Sequence, residues 1–560
     1  MKTRALAGLV AMLTASWLLY AYHDRFWYPP DEGNYAHVAQ RILEGETLNL
    51  QIQDVHPGYI NFVNAAALRL FGADLLSLRY PLVFAGLIQA AALFLIFPRH
   101  EPWRAAVAVI AATALGAIQF LNPTAHWQCL ALVVLTIAAL PASSRMARRL
   151  VGIGILVGVI ALFRQLTGFL VGLGALTFLL WEAGSRSTEQ TNAIVGRFVA
   201  ASMAIALAAY LALASDVSGI ILFGIWPLIV LALLIVRPQA PPREIARIFA
   251  SVGTGIVIAA VPLLAYHVWH GSIGAWLQDI GPAAVALTRL DFFERSSFAA
   301  LVFHALRQTV TAGDAASFIN GVYWTALPLV GAANGYAVVR SLQRARRNPI
   351  HPLPLVATFY AVVSVHFQIP VYLYYTVGLS LASLLWLTPQ ISLVAARGSL
   401  VAAGALAAIG VYFHAGQPAS RSIAGLLHGT RMTSVRASSL PHSSLRIDPD
   451  EGRRYAALVD LIRQRVPADG SMFAVPSNAE LYFLSQRRNA FRFYNTALGV
   501  RSDADVAAVE QTLHDHPPSL VTFNRDDKYN TPQSLQIMEA VKHQYVLLGR
   551  FDPFDVYVLR

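Results

Sequence analysis

Apolar runs of about 20 residues constrain this chain more than any other feature, because each is long enough to cross ~30 Å of hydrocarbon. They fall near 5–22, 80–97, 104–121, 125–141, 149–163, 166–181, 195–214, 219–236, 249–268, 317–339, 353–366, 370–387 and 399–415. A chain with so many cannot keep them all in one soluble core. Composition agrees: 56% of the 560 residues are hydrophobic and only 13% are charged, against roughly a quarter charged in soluble domains. The runs are continuous rather than alternating in short segments, which excludes a membrane β-barrel. The sequence predicts a polytopic α-helical membrane protein of about thirteen spans.

Basic residues set the expected orientation. Lys2 and Arg4 precede the first run, and Arg99, Arg104, Arg148, Arg149, Arg186, Arg197, Arg237, Arg243, Arg247, Arg340, Arg344 and Arg397 fall in alternate loops. The positive-inside rule places those loops and the N-terminus in the cytoplasm, and an odd span count places the C-terminus outside. The first run lacks a small-residue cleavage site after it and reads as an uncleaved anchor. The net charge of +11 is scattered over short loops, so no nucleic-acid-binding face forms. A single cysteine, Cys129, excludes an intramolecular disulfide, and no metal motif or phosphate-binding glycine loop is present. No cofactor is expected, although a divalent metal stays open.

Two domains follow. Residues 1–420 form the membrane domain, with a first outer loop at 23–79. Residues 440–560 have soluble composition and read as a small α/β domain. In that second domain 451–466, Asp503–Leu513 and Gln533–Lys542 read as helices, Ser471–Val475 and Leu520–Phe523 as strands, and Tyr545–Phe551 with Asp555–Leu559 as a hairpin. Tyr482, Arg487, Arg488 and Arg492 are candidates to face a substrate, or else belong to its solvated surface. In the first outer loop, Tyr35, Val38, Ala39, Ile42 and Leu43 recur at helical spacing, with His37, Gln40, Arg41 and Glu44 opposite. Tyr59, Phe62, Val63, Ala66 and Leu70 repeat the pattern. Both helices are too short and polar to span and should lie in the interface plane. A second long outer loop, about 270–316, carries Trp276, Asp279, Arg289, Asp291 and three phenylalanines.

The chemistry gathers on the outer side. Asp31-Glu32 stands at the membrane edge after Pro29-Pro30, where ionisable groups are costly. Asp31 has two readings: a base that takes a proton from an acceptor, or an N-cap for the helix behind it. Asp54 and His56 share its loop. Arg164 sits between Leu162-Phe163 and Leu166-Thr167, either clamping a phosphate bidentately or snorkelling to the headgroups. His126 and His366 lie at the same face, as site groups or as interfacial or core histidines.

Pro30-Asp31-Glu32-Gly33-Asn34-Tyr35, the motif ending His56-Pro57-Gly58-Tyr59, and Leu70-Phe71-Gly72 with Leu78-Arg79-Tyr80-Pro81 resemble the GT-C superfamily of polyprenyl-phosphate-sugar-dependent glycosyltransferases. The likeness is to protein O-mannosyltransferases and the lipid A aminoarabinose transferase, and covers roughly residues 1–180. It implies inverting transfer of one sugar from a polyprenyl monophosphate carrier to a lipid, glycan or protein acceptor, outside the plasma (bacterial inner) membrane. Asp31 would be the base. Arg164 and His56 would hold the donor phosphate, and Glu32, Asp54, Arg79, His126 and His366 would join them in binding substrate. One departure stands out: relatives often have an acid followed by Lys-Pro where this chain has Val55-His56-Pro57. The competing class is a secondary transporter or lipid flippase, for which internal repeats and midplane charges are usual. A structural membrane subunit would leave Asp31 and Arg164 without a task.

Overall fold

The computed structural model describes residues 2–25, 27–142, 146–186, 193–287, 297–344, 351–415, 427, 436–437, 439–525 and 527–560. Every apolar run is helical. Among the described residues, eight helices are long and apolar enough to cross a membrane, from Lys2–Tyr22 to Leu393–His414. The other expected spans are of two kinds. Ala125–Ala139, Ala147–Phe163, Pro352–Val365 and Tyr372–Leu387 are shorter. Ala315–Arg344 is long but carries Asn320, Asn334, Arg340 and Arg344. Arg289, Asp291 and their aromatic neighbours lie outside the described residues.

The helix α1 (Lys2–Tyr22) leads into the 23–79 loop, which holds α2 (Pro29–Leu43) and α3 (Tyr59–Phe71). Two prolines open α2, where their missing N–H groups cost nothing. In α3 the apolar stripe is the outward one: Leu70 is 75% exposed while Asn61 and Asn64 are fully buried. A helix against lipid reverses the soluble rule, since its apolar side can face hydrocarbon and its polar side the protein. The polar side of α2 departs from expectation. His37 and Arg41 are buried, not turned to the interface, because the C-terminal domain covers them. The His37 ring stacks on Tyr482 at 4.5 Å, and Arg41 donates to the Phe491 carbonyl at 3.0 Å.

That domain is a five-stranded sheet in the order Arg488–Asn489, Ser471–Val475, Leu520–Asn524, Phe554–Leu559, Tyr545–Phe551. The first three strands run parallel and the last two pair antiparallel. Helices Pro449–Arg465, Asp503–Asp515 and Pro532–Gln544 accompany it. A short helix, Glu480–Ser485, packs directly on α2. There Gly33 is required: a Cβ added to it would overlap the backbone nitrogen and Cα of Glu480. Neither backbone can yield without moving a whole helix. We expect Gly33→Ala to loosen this docking and lower the melting temperature, at a cost of about 1–3 kcal/mol for an overpacked contact. Limited proteolysis should then release the C-terminal domain faster than from wild type; unchanged protection would refute the close-packing argument.

Candidate active site

At the end of the helical bundle where the C-terminal domain docks, a cavity of about 500 Å³ opens between α2, the loop before α3, the helix Ala125–Ala139, the Arg164 break and the 366–375 segment. Asp31, Asp54, His56, His126, Arg164 and His366 all line it. Segments more than 300 residues apart in sequence thus bring six expected residues to one wall system. Glu32 and Arg79 are not among them. They form an ion pair with both side chains fully buried, and neither lines the cavity. Their expected substrate contact gives way to a structural one, because Glu32 follows Asp31 on the helix and so points away from the cavity toward Arg79. Burial raises the Glu32 carboxyl above its ordinary value, and the Arg79 charge and hydrogen bond oppose that rise.

Asp31 is the third residue of α2. Tyr28 occupies the N-cap position and its side chain makes no capping bond, so Asp31 is not the N-cap residue. Its Oδ2 accepts from the Asn122 amide at 2.7 Å. One turn on, Tyr35 lines the same cavity; the i, i+4 spacing was the available signal.

Asp54 is held by Asn61, whose amide donates to Oδ2 at 2.5 Å, and its Oδ1 accepts from His56 Nδ1 at 2.7 Å. The far nitrogen of His56, Nε2, stands 3.2 Å from the Tyr35 hydroxyl. Burial pushes the Asp54 carboxyl up, but the His56 charge and hydrogen bonds outweigh it and hold it below its ordinary value. The reverse applies to His56. Burial lowers its pKa, but Asp54 outweighs that and raises it from the ordinary histidine value. The pairing thus favours the imidazolium, whose charge is lost as pH rises through the raised value. If it holds an anion, Asp54→Asn should move the alkaline limb of anion affinity to lower pH, readable from donor KM against pH. An unshifted limb would exclude His56 as the titrating group.

Arg164 breaks the chain between helices Ala147–Phe163 and Gln165–Arg186, in an extended conformation. Its Nη1 donates to His126 Nδ1 at 2.9 Å. Guanidinium has no acceptor, so that nitrogen accepts and the His126 proton resides on Nε2. The guanidinium lies over the Tyr372 ring at 5.5 Å, and the His126 ring stacks on Tyr375 at 3.7 Å. Snorkelling does not describe this arrangement. His366 stands beside Tyr372, ring centroids 5.9 Å apart. Phe367 and Gln368, next in sequence, both have positive φ, a strained turn. Gln368 Nε2 donates to Asp216 Oδ1 at 2.7 Å, tying that turn to the neighbouring loop.

The C-terminal domain supplies Tyr494 and Leu498 to the cavity. Arg492 pairs with Asp279 at 2.9 Å, and Asp279 also accepts from Asn49 at 3.0 Å. Of the C-terminal residues singled out from sequence, Tyr482 is wholly buried, its hydroxyl accepting from the Ala474 N–H. Arg487 caps backbone carbonyls of its own domain. Sequence reasoning missed Asn61, Asn122, Tyr372, Tyr375 and Tyr494, which carry no motif and sit in apolar or ordinary surroundings. Among the described residues no cluster of three His, Cys, Asp or Glu side chains could hold a metal ion.

Fold and cavity define a helical membrane protein with a largely apolar chamber, carrying a few converging ionisable side chains, where its bundle meets a small α/β domain. No protein-family model and no curated sequence matches the chain. Among solved structures it is similar to ArnT from Cupriavidus metallidurans in the apo state, at 14% identity and a TM-score of 0.41, over 99% of this chain and 96% of that one. It is likewise similar to the same protein bound to undecaprenyl phosphate, at 13% identity and a TM-score of 0.40 over the same shares of each chain. At these scores the likeness is one of layout.

Proposed function

We propose that the chain is a membrane glycosyltransferase that moves one sugar from a polyprenyl-phosphate carrier to an acceptor at the outer face, with inversion. The observation that supports this most is the convergence of a carboxylate from the first turn of α2, Asp31, with Arg164, His56, His126 and His366 on a single cavity. In this reading Arg164 and His56 hold the donor phosphate, where charge builds as the sugar leaves. The leaving phosphate is already acidic, so a cation suffices and no general acid is needed. Asp31 takes the acceptor proton. Leu213 and Val285 line the cavity and are also exposed, which gives the prenyl tail an apolar way out to the bilayer. The N-terminus is cytoplasmic and the C-terminal domain outside, roofing the site with Tyr494.

The test is purified protein in lipid with undecaprenyl-phosphate sugars labelled in the sugar. Label should leave the carrier and enter an acceptor fraction. Protein that binds no donor, or that carries the intact donor across a liposome without cleaving it, would overturn the reading in favour of a flippase.

A further inference from the structure

We infer that Asp216 and Gln368 are positioning residues for the donor site: their clasp holds a strained turn that sets His366 against the cavity. The inference rests on the transferase reading above and concerns how that same site keeps its shape. The 366–371 segment joins the short helix Ala361–Val365 to the helix Tyr372–Leu387. From it His366, Phe367, Ile369 and Val371 line the cavity. In its middle Phe367 and Gln368 take φ values of 58° and 49°. Two successive side-chain-bearing residues in the left-handed region are unfavourable, because each Cβ crowds the following carbonyl oxygen. Such strain persists only where surrounding contacts over-determine it. The backbone bonds leading into the turn are long, 3.2 Å from the His366 N–H to Val363 and 3.3 Å from the Gln368 N–H to Val365.

Asp216 supplies the stronger hold. The buried Gln368 side chain donates from Nε2 to Asp216 Oδ1 at 2.7 Å, and its Oε1 accepts from the Asp216 N–H at 3.3 Å. An amide bonded at both ends cannot rotate without losing both bonds, and the one to the carboxylate is charge-assisted. Asp216 is itself fixed. Its carboxylate accepts from the Gly219 N–H at 2.7 Å and from the Ser218 hydroxyl at 2.8 and 2.9 Å. Gly219 permits the close approach, since a Cβ added there would stand 2.3 Å from Ser215 Oγ and 3.2 Å from Gln368 Nε2.

Neither Asp216 nor Gln368 lines the cavity, yet each lies next to chain that does. Leu213 and Ala214, at the end of the helix Ile194–Ala214, come just before Asp216, as His366 and Phe367 come just before Gln368. The clasp therefore ties two walls of the cavity together. On the second wall the His366 ring stands 4.0 Å from the Phe367 ring and 5.9 Å from that of Tyr372, over which the Arg164 guanidinium lies at 5.5 Å. Without the clasp, Phe367 and Gln368 relax toward negative φ, and that rotation carries His366 away from its place beside Tyr372.

The test is a double-mutant cycle on the full-length protein in lipid, read as the Kd for undecaprenyl phosphate. Gln368→Leu removes both bonds of the clasp and keeps the bulk of the side chain. It should weaken binding about tenfold, the size of coupling usual within one hydrogen-bond network. In a His366→Ala background the same change should cost less than about twofold, because the group it positions is gone. Asp216→Ser is the second variant, and carries the inference if Gln368→Leu does not fold. Serine still caps the turn of helix at 217–219 but is too short to reach Gln368, so the same pattern is expected. An equal loss in both backgrounds overturns the inference, since the clasp would then act on the fold and not through His366. Unchanged binding in both variants also overturns it and leaves the transferase reading standing. Wild-type protein that does not bind undecaprenyl phosphate overturns the donor site and this inference together.

Discussion

Asp31→Asn should lower the rate of sugar transfer by about 10²–10⁴-fold, the usual contribution of a positioned general base, while donor binding stays near wild type. The change is isosteric, and the asparagine carbonyl can still accept from Asn122, which bonds Oδ2 at 2.7 Å. Its effect on the fold should be slight. Asp31 is not the N-cap residue, a position Tyr28 holds, and its charge lies near the positive end of α2. That interaction is worth about 0.3–1 kcal/mol, so the melting temperature should hardly move. The pairing of lost turnover with retained stability and donor affinity separates a base from a structural acid. A melting temperature that falls in step with activity would assign Asp31 to the fold instead.

Much of this architecture was legible because hydrocarbon imposes simple rules. Continuous apolar runs became helices, and the soluble C-terminal pattern of Ser471–Val475, Leu520–Phe523 and the hairpin around Asp552-Pro553 became the observed sheet elements almost residue for residue. The cavity residues were legible for a different reason. An arginine between Phe163 and Gln165, or an acid after two prolines at a membrane edge, is expensive enough to need an explanation. What the sequence could not show depends on contacts distant in the chain. Glu32 looked equivalent to Asp31, and only the fold buries it against Arg79, 47 residues away. His37 and Arg41 look like an exposed polar face until the C-terminal domain is placed over them. Asn61 sits beside an apolar stripe that turns outward, and so reads as peripheral, yet it fixes Asp54 and through it His56. Gly33 belongs to the recognisable motif, but its reason, the close approach of Glu480, comes from residues more than 400 positions later.

The two arginines of this region, Arg164 and Arg79, should fail in opposite ways. Arg164→Ala is expected to reduce kcat/KM for the donor by about 10²–10³, the cost of removing one preorganised charge-stabilising donor from a dry site. The fold should survive, because Arg164 faces the cavity and the two helices it joins keep their own packing. Arg164→Lys should recover only part of the loss. An ammonium on a flexible stem restores charge but not the planar fork that can grip two phosphate oxygens, nor the hold on His126 Nδ1 seen here at 2.9 Å. Arg79→Ala removes a fully buried partner and leaves Glu32 alone in the same environment, a loss of about 3–5 kcal/mol for broken buried pairs. Its activity should therefore fall together with melting temperature, and Glu32→Gln combined with Arg79→Met should restore stability by removing both charges. Kinetic loss without unfolding at Arg164, and unfolding without a specific kinetic signature at Arg79, would divide the substrate-facing cation from the structural one. Equal destabilisation by both alanine variants would instead make Arg164 a packing residue, and the donor phosphate would then depend on His56.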